Sequence, residues 1–344
     1  MENYEVLKEL VKFNTIKDKE NKEILNYIEE VLLKEGFKTI EKSKNLIMSY
    51  GDDIGFGFLG HTDTVEYIDG WNTDPFEVTV KDNKIYGLGV CDMKGGIAAI
   101  IDAIKELNLS ELKKGIKLYF TYDEEIGFGG IYEIVEKGEK FPNIMIFGEP
   151  TDNEALLGSK GLLELDFNFN GIKAHSSNPA KGKSANMNAA KFLVELEEFY
   201  NENIKIDLND KYEVPYTTMN VGIINGGSAK NSVSASCNVF IDFRTIKEEH
   251  NEIIKNELDE LKEKYDYTYE IVELVNPFYN DVEFATEKKT AGFMTEASFV
   301  SKESDRVILG LGPVTAHEVN EYVTEESYRK LVNQYKEIIE KYCK

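Results

Sequence analysis

The sequence predicts an α/β protein, with a mostly parallel sheet covered by helices and a smaller α+β unit inserted into it. Three observations carry this. From Tyr4 to Phe147, short apolar runs of strand character alternate with helical periodicity. From about Lys160 the order changes to strand–helix–strand, twice over. A long helical pattern then closes the sequence from Glu325 to Tyr342.

Taken in order, apolar residues three and four apart predict helices over Tyr4–Val11 and Ile24–Leu33. Strands are predicted at Asn45–Tyr50 and Gly55–Gly60, and a hairpin over Phe76–Tyr86, broken by Lys81-Asp82-Asn83-Lys84. Gly95-Gly96 opens a helix over Ile97–Leu107. Strand Gly115–Thr121, a helix near Ile131–Val135 and strand Asn143–Phe147 follow. The later region predicts strands Leu162–Asn168, Thr217–Ile224, Ser232–Asp242 and Thr268–Leu274, with helices Asn186–Phe199 and Glu248–Tyr265. That order is the one a ferredoxin-like sandwich has. It stands between the acidic motifs and His317, so residues 160–271 are expected to form an insertion, with 1–159 and 272–344 forming the sheet domain.

Composition narrows the function classes. The 344 residues carry 63 acidic against 40 basic side chains, a formal charge of -23. Such a surface repels phosphate backbones and anionic lipid, and no basic, aromatic-rich stripe exists, so nucleic-acid and membrane partners are not expected. No apolar run approaches the roughly 20 residues of a membrane-spanning helix. Cys91, Cys237 and Cys343 are odd in number and scattered, which argues against disulfides and a thiolate zinc site. Met1–Glu5 is acidic and opens no secretory leader, so a cytoplasmic location is expected.

Of four histidines, three lie in short motifs. His61 is in Gly60-His61-Thr62-Asp63-Thr64-Val65, His175 in Lys173-Ala174-His175-Ser176-Ser177, and His317 ends Gly310-Leu311-Gly312-Pro313-Val314-Thr315-Ala316-His317. Asp92 stands in Cys91-Asp92-Met93-Lys94-Gly95-Gly96, Glu124 and Glu125 in Asp123-Glu124-Glu125-Ile126-Gly127, and Glu149 in Gly148-Glu149-Pro150-Thr151. His61, the Glu124-Glu125 pair and Glu149 each follow an apolar strand candidate, and in open α/β sheets ligands gather beyond the carboxyl ends of the strands. Any one acid would otherwise be a solvated surface charge. His250, in Lys247-Glu248-Glu249-His250 on a helix, reads as a structural residue.

Imidazole and carboxylate oxygen are the ligands of a hydrolytic Zn²⁺. Two ions about 3.5–4 Å apart need a bridging carboxylate and can share a hydroxide. Asp92, nearest the middle of the rim, is expected to bridge. His61 with Glu149, and Glu125 with His317, would complete the two shells. Asp63 would fix the tautomer of His61. Glu124 is left as the general base that activates the bridging hydroxide's parent water and returns the proton to the leaving amine.

This ordered motif set resembles the co-catalytic metallohydrolase family of acetylornithine deacetylase, succinyl-diaminopimelate desuccinylase, aminoacylase and the glutamate carboxypeptidases, over essentially the whole chain. The resemblance implies a zinc-peptidase-like catalytic domain holding two zinc ions, with cobalt or manganese as alternatives. It implies that the insertion is a lid and forms a homodimer. It gives His175 a role as oxyanion donor to a neighbouring subunit's site, the alternative being a turn histidine before Asn178-Pro179. Gly226-Gly227 and Asn231 resemble the family's substrate-binding turn, and Arg244, one of three arginines, could clamp a substrate carboxylate or make a surface ion pair. Met294-Thr295-Glu296-Ala297 resembles the acetylornithine deacetylases more than the desuccinylases, with Glu296 facing a substrate ammonium or only starting a helix. The expected activity is removal of a small acyl group from the α-nitrogen of an amino acid, as in amino-acid biosynthesis. A dipeptidase, a carboxypeptidase or a succinyl-diaminopimelate desuccinylase is the alternative. A non-catalytic metal-binding protein fits less well, because such a protein needs no general base.

Overall fold

The computed structural model of the protein describes residues 4–16, 21–283, 285 and 289–344. The chain divides into two compact units: Met1–Leu157 with Asn280–Lys288 and Thr295–Lys344, and Gly158–Tyr279 with Lys289–Met294.

In the first unit, α1 (Glu5–Lys12) and α2 (Lys22–Lys34) precede β1 (Lys38–Lys42), β2 (Leu46–Tyr50) and β3 (Ile54–His61). Next come β4 (Thr79–Lys81), β5 (Lys84–Tyr86), α3 (Lys94–Glu106), β6 (Gly115–Thr121), α4 (Gly129–Glu136) and β7 (Ile144–Phe147). β8 (Leu156–Ser159) leads into the second unit, and the first resumes with β15 (Asp305–Ile308), β16 (Tyr322–Thr324) and α7 (Glu325–Cys343).

The main sheet runs β1-β2-β6-β3-β7-β15. Its centre is parallel: β3 pairs with β6 and β7, and β7 with β15. β1 and β2 join one edge antiparallel. From Gly55 to His61 every residue of β3 is buried, as a strand covered on both faces requires. Among the covering helices, α3 packs against α1 and α7 and buries Ile97, Ile100, Ile101 and Ile104. α7 is amphipathic, burying Tyr328, Leu331, Tyr335 and Ile338. The Thr324 hydroxyl caps it by accepting the Ser327 N–H, a contact worth about 1 kcal/mol.

The hairpin β4–β5 turns at Asp82 and Asn83, both left-handed (φ 54° and 60°), the geometry a two-residue turn needs to match strand twist. β16 adds to it antiparallel, Tyr322 opposite Tyr86. Sequence periodicity did not reveal β1, β8, β15 or β16.

The second unit is built from β9 (Gly161–Asn170), α5 (Ala185–Phe199), β10 (Thr218–Gly226), β11 (Ser236–Thr245), α6 (Glu248–Lys264) and β12 (Tyr267–Val275), with short β13 (Phe278–Tyr279) and β14 (Lys289–Ala291). Its four-stranded antiparallel sheet has the order β10-β11-β9-β12, that of a ferredoxin-like sandwich. From Cys237 on, β11 alternates between buried and half-buried residues, turning Val239, Ile241 and Phe243 into a core with Phe167, Phe169, Phe192 and Tyr267. β11 begins four residues later than Ser232, because Val233 and Ala235 bond instead to Ala174 and Gly171. This unit also runs past residue 271, since β12 reaches Val275 and β13 pairs Phe278 with Ser159.

Candidate metal centre

Every predicted metal ligand of the first unit lies just beyond a carboxyl-terminal strand end or on a loop joined to one. β3 ends on His61; β6 ends on Thr121, ahead of Glu124 and Glu125; β7 ends on Phe147, ahead of Glu149; and β15 ends on Ile308, ahead of His317. Close backbone approaches tie these segments together. A Cβ on Gly96 would lie 2.5 Å from the Gly148 carbonyl oxygen, and one on Gly310 2.1 Å from that of Glu149. No side chain fits at either place.

Asp92 lies between the two histidines. Its Oδ1 is 3.1 Å from His61 Nε2, and its Oδ2 is 3.6 Å from His317 Nε2. Glu149 Oε2 and Glu124 Oε2 each lie 3.8 Å from His61 Nε2, and Glu125 Oε2 lies 3.1 Å from His317 Nε2. The ligating atoms of His61, Asp92 and Glu125 fall within 4.8 Å of one another, as do those of His61, Glu124 and Glu149.

The orientation of His61 has a specific cause. Its Nδ1 donates to the Asp63 backbone carbonyl at 3.0 Å, which aims Nε2 at the carboxylates. The expected partner was the Asp63 carboxylate, but that lies at 3.6 Å. Its Oδ2 instead accepts the Glu125 N–H at 3.2 Å, so Asp63 steadies two segments of the rim.

Electrostatics mark the cluster as a cation site. Burial and the Glu149 charge hold the Glu124 carboxyl well above the usual carboxylate range. Burial pushes Glu149 up to about 7 against the pull of His61. Burial opposes charge on His61, yet hydrogen bonds to Asp92 and Glu149 keep its pKa well above the ordinary value. The hydrogen bond to Glu125 raises His317 to about 9. Two buried oxygens, Asp63 Oδ1 and Glu125 Oε1, have no hydrogen-bond partner. Converging carboxylates, imidazoles held by their neighbours and orphaned acceptors fit a pair of divalent cations.

Glu296 belongs to the same unit. It follows Thr295, whose hydroxyl accepts the Ala297 N–H to start a short 3₁₀ turn, Glu296–Phe299. It is 0% exposed, which leaves it no surface of its own facing solvent. Its Oε2 accepts the Thr121 hydroxyl at 2.9 Å, and its Oε1 has no partner. Burial raises it to about 8.

The other predicted residues lie in the second unit. The exposed His175 accepts the Ser177 N–H at Nδ1 (3.2 Å), so its neutral ring carries the proton on Nε2 and presents a donor there. Asn231 is exposed, and its carbonyl accepts the Ser176 N–H at 2.9 Å. Arg244 is engaged in a two-point pair with Asp242, Nε to Oδ1 at 3.0 Å and a terminal nitrogen to Oδ2 at 2.9 Å. That is the ion-pair alternative. His250 is structural, hydrogen-bonded through Nδ1 to Thr217 Oγ1 at 2.6 Å and through Nε2 to Asp207 at 3.0 Å.

One residue escaped sequence reasoning. Glu321, four residues after His317, is 2% exposed, and its carboxylate accepts the N–H groups of Gly89, Cys91 and Asp92. Burial pushes it up to about 8 against the pull of those donors. An acid followed by strand Tyr322–Thr324 carries no marker of such a partner.

The model of peptidase family M20/M25/M40 matches residues 57–341. The chain belongs to that family. An acetylornithine deacetylase of Pasteurella multocida is 31% identical over 92% of this chain and 92% of its own length. One from Buchnera aphidicola is 31% identical over 96% and 97%. Among solved structures, aminopeptidase PepT from Bacillus cereus superposes with a TM-score of 0.81 at 22% identity, covering 98% of both chains. An M20 metallo-carboxypeptidase from Sulfolobus solfataricus gives 0.76 at 22% identity over 99% of both. This M20 chain is a metal-dependent hydrolase of amide bonds. Among the described residues, no helix is long and apolar enough to cross a membrane.

Proposed function

We propose that this M20 protein removes a small acyl group from the α-nitrogen of an amino acid, with N-acetylornithine as the first candidate, using two zinc ions. The observation that carries the two-cation reading is the division of the Asp92 carboxylate, Oδ1 toward His61 and Oδ2 toward His317. His61 and Glu149 would hold one ion, Glu125 and His317 the other, and Asp92 both. The bound ions would polarise the scissile carbonyl and acidify water.

The remaining steps belong to the chain. Glu124, next to the ligand Glu125 and not needed as one, takes a proton from the attacking water and returns it to the leaving nitrogen. His175, with its proton on Nε2, offers a donor to a developing oxyanion. The deacylase reading is supported by the two relatives of that name and by Thr295-Glu296-Ala297. Asn231 and Arg244 remain the candidates for the substrate carboxylate, and the second unit for a homodimer contact.

The test is hydrolysis by zinc-loaded protein of acetyl- and succinyl-amino acids and dipeptides side by side. N-acetylornithine should be turned over fastest. A faster dipeptide or succinyl-diaminopimelate moves the assignment within the family, and no hydrolysis of any amide overturns it. Glu124→Gln should keep two bound zinc ions and lose about 10²–10⁴-fold in kcat. Turnover at the wild-type rate removes Glu124 from the mechanism.

A further inference from the structure

We infer that Glu321 is a positioning residue whose carboxylate fixes the segment carrying Asp92 against the loop carrying His317, and so sets the second cation site. The inference rests on the two-cation reading above.

The segment Gly87–Asp92 joins β5 to α3 without belonging to either. Its backbone donors therefore need other partners. Glu321 supplies most of them. Its Oε2 accepts the Gly89 N–H at 2.7 Å; its Oε1 accepts those of Cys91 at 2.7 Å and Asp92 at 3.0 Å. Its backbone carbonyl takes the Gly87 N–H at 3.3 Å. Gly89 has φ +79°, a left-handed conformation that helps turn these donors onto one acceptor.

Glu321 is itself held. The Thr315 hydroxyl donates to the Tyr322 carbonyl at 2.6 Å and accepts its N–H at 2.9 Å, closing the loop around His317. Tyr322 pairs with Tyr86 at the end of β5, just before the Asp92 segment. One carboxylate thus joins the two stretches of backbone from which Asp92 and His317 project. His61 and Glu149 take their positions from β3 and β7 and do not need this clasp. Their site leans on it through the shared Asp92 alone, whereas the site formed by Asp92 Oδ2, Glu125 and His317 leans on it through two ligands.

A glutamine would keep one acceptor and turn an NH₂ group toward backbone donors. An aspartate would keep the charge but fall one methylene short. Partners of this kind typically change metal affinity 10–100-fold. The experiment is titration of chelator-treated protein with Zn²⁺ against a competing chromophoric chelator, with thermal unfolding recorded in parallel. Wild type should take up two equivalents. Glu321→Gln should lose about 10–100-fold in affinity for one of them, with the other, which shares only Asp92, weakened clearly less. Glu321→Asp should show the same selective loss, smaller in size, and supplies the reading if the glutamine variant does not fold. Glu318→Gln, at an exposed position of the same loop, should bind as wild type does. Two wild-type affinities in Glu321→Asp or Glu321→Gln would overturn the inference. So would equal weakening of both sites in step with a lowered Tm, the mark of a merely structural role. If the wild-type chain does not take up two equivalents, the two-cation reading itself falls. If wild type binds two and the Glu321 variants bind both with wild-type affinity, only the positioning role falls.

Discussion

Replacing Glu296 with glutamine should make the metal-free protein more stable at neutral and mildly alkaline pH, by an amount that grows with pH. Glu296 is 0% exposed, and burial raises its carboxyl from the ordinary 4.5 to about 8. Below pH 4.5 the group is protonated whether the chain is folded or not, and its full contribution to stability is present. As pH rises, the unfolded chain ionises first while the folded chain keeps its proton until about 8, so stability is lost through that window. The window spans ~3.5 pH units, and at ~1.4 kcal/mol each the group withdraws at most about 5 kcal/mol. Glutamine cannot titrate and can still accept the Thr121 hydroxyl through its amide oxygen. Urea unfolding of chelator-treated wild type and Glu296→Gln, from about pH 5 to pH 8, measures the difference. Near pH 5 the two should differ by under ~1 kcal/mol, and near pH 8 the variant should lead by roughly 3–5 kcal/mol. Parallel pH dependences would refute the reasoning, because they would mean that Glu296 is ionised in the folded, metal-free chain.

Other perturbations separate the remaining roles. His175→Ala should lower kcat by about 10²–10³-fold and change KM little, as loss of an oxyanion donor does; steady-state kinetics would contradict this if only KM moved. Arg244→Lys should raise KM about tenfold for substrates with a free α-carboxylate and leave their amides unchanged, because lysine cannot make two parallel bonds; equal effects on both substrates would leave the guanidinium with Asp242 alone. Gly96→Ala should lower stability by about 1–3 kcal/mol, since the new methyl meets a backbone oxygen that cannot rotate away. A wild-type Tm would show that the first turn of α3 can shift.

The rim was legible because its donors follow short apolar runs of strand character. Phe56-Gly57-Phe58-Leu59-Gly60 before His61 and Ile116-Lys117-Leu118-Tyr119-Phe120 before the paired glutamates announce buried parallel strands, whose carboxyl ends are where ligands collect. β15 was not legible. Asp305-Arg306-Val307-Ile308 is short, and its strand character comes from its parallel partner β7. β1 exposes residues on both faces and shows no alternation to detect. Side-chain roles that act on distant backbone were hidden for a different reason. Glu321 contacts N–H groups, which every residue but proline has, so no residue type at Gly89–Asp92 betrays the contact. The two-point pair of Arg244 with Asp242, two positions back on the same strand, was visible only as one of two options, because the spacing does not set the direction of the guanidinium.

The second unit is nearly continuous in sequence, while the first is completed only by segments that follow it. During synthesis from the N-terminus, β1–β7 emerge before β15, α7 and the His317 loop exist to finish their sheet. The inserted sandwich can meanwhile close its own aromatic core without waiting for anything downstream except the short stretch Lys289–Met294. A nascent chain whose residues up to 294 have cleared the ribosome should therefore hold one protease-resistant module and one unfinished sheet, with four of the five proposed metal ligands made and only His317 still to come.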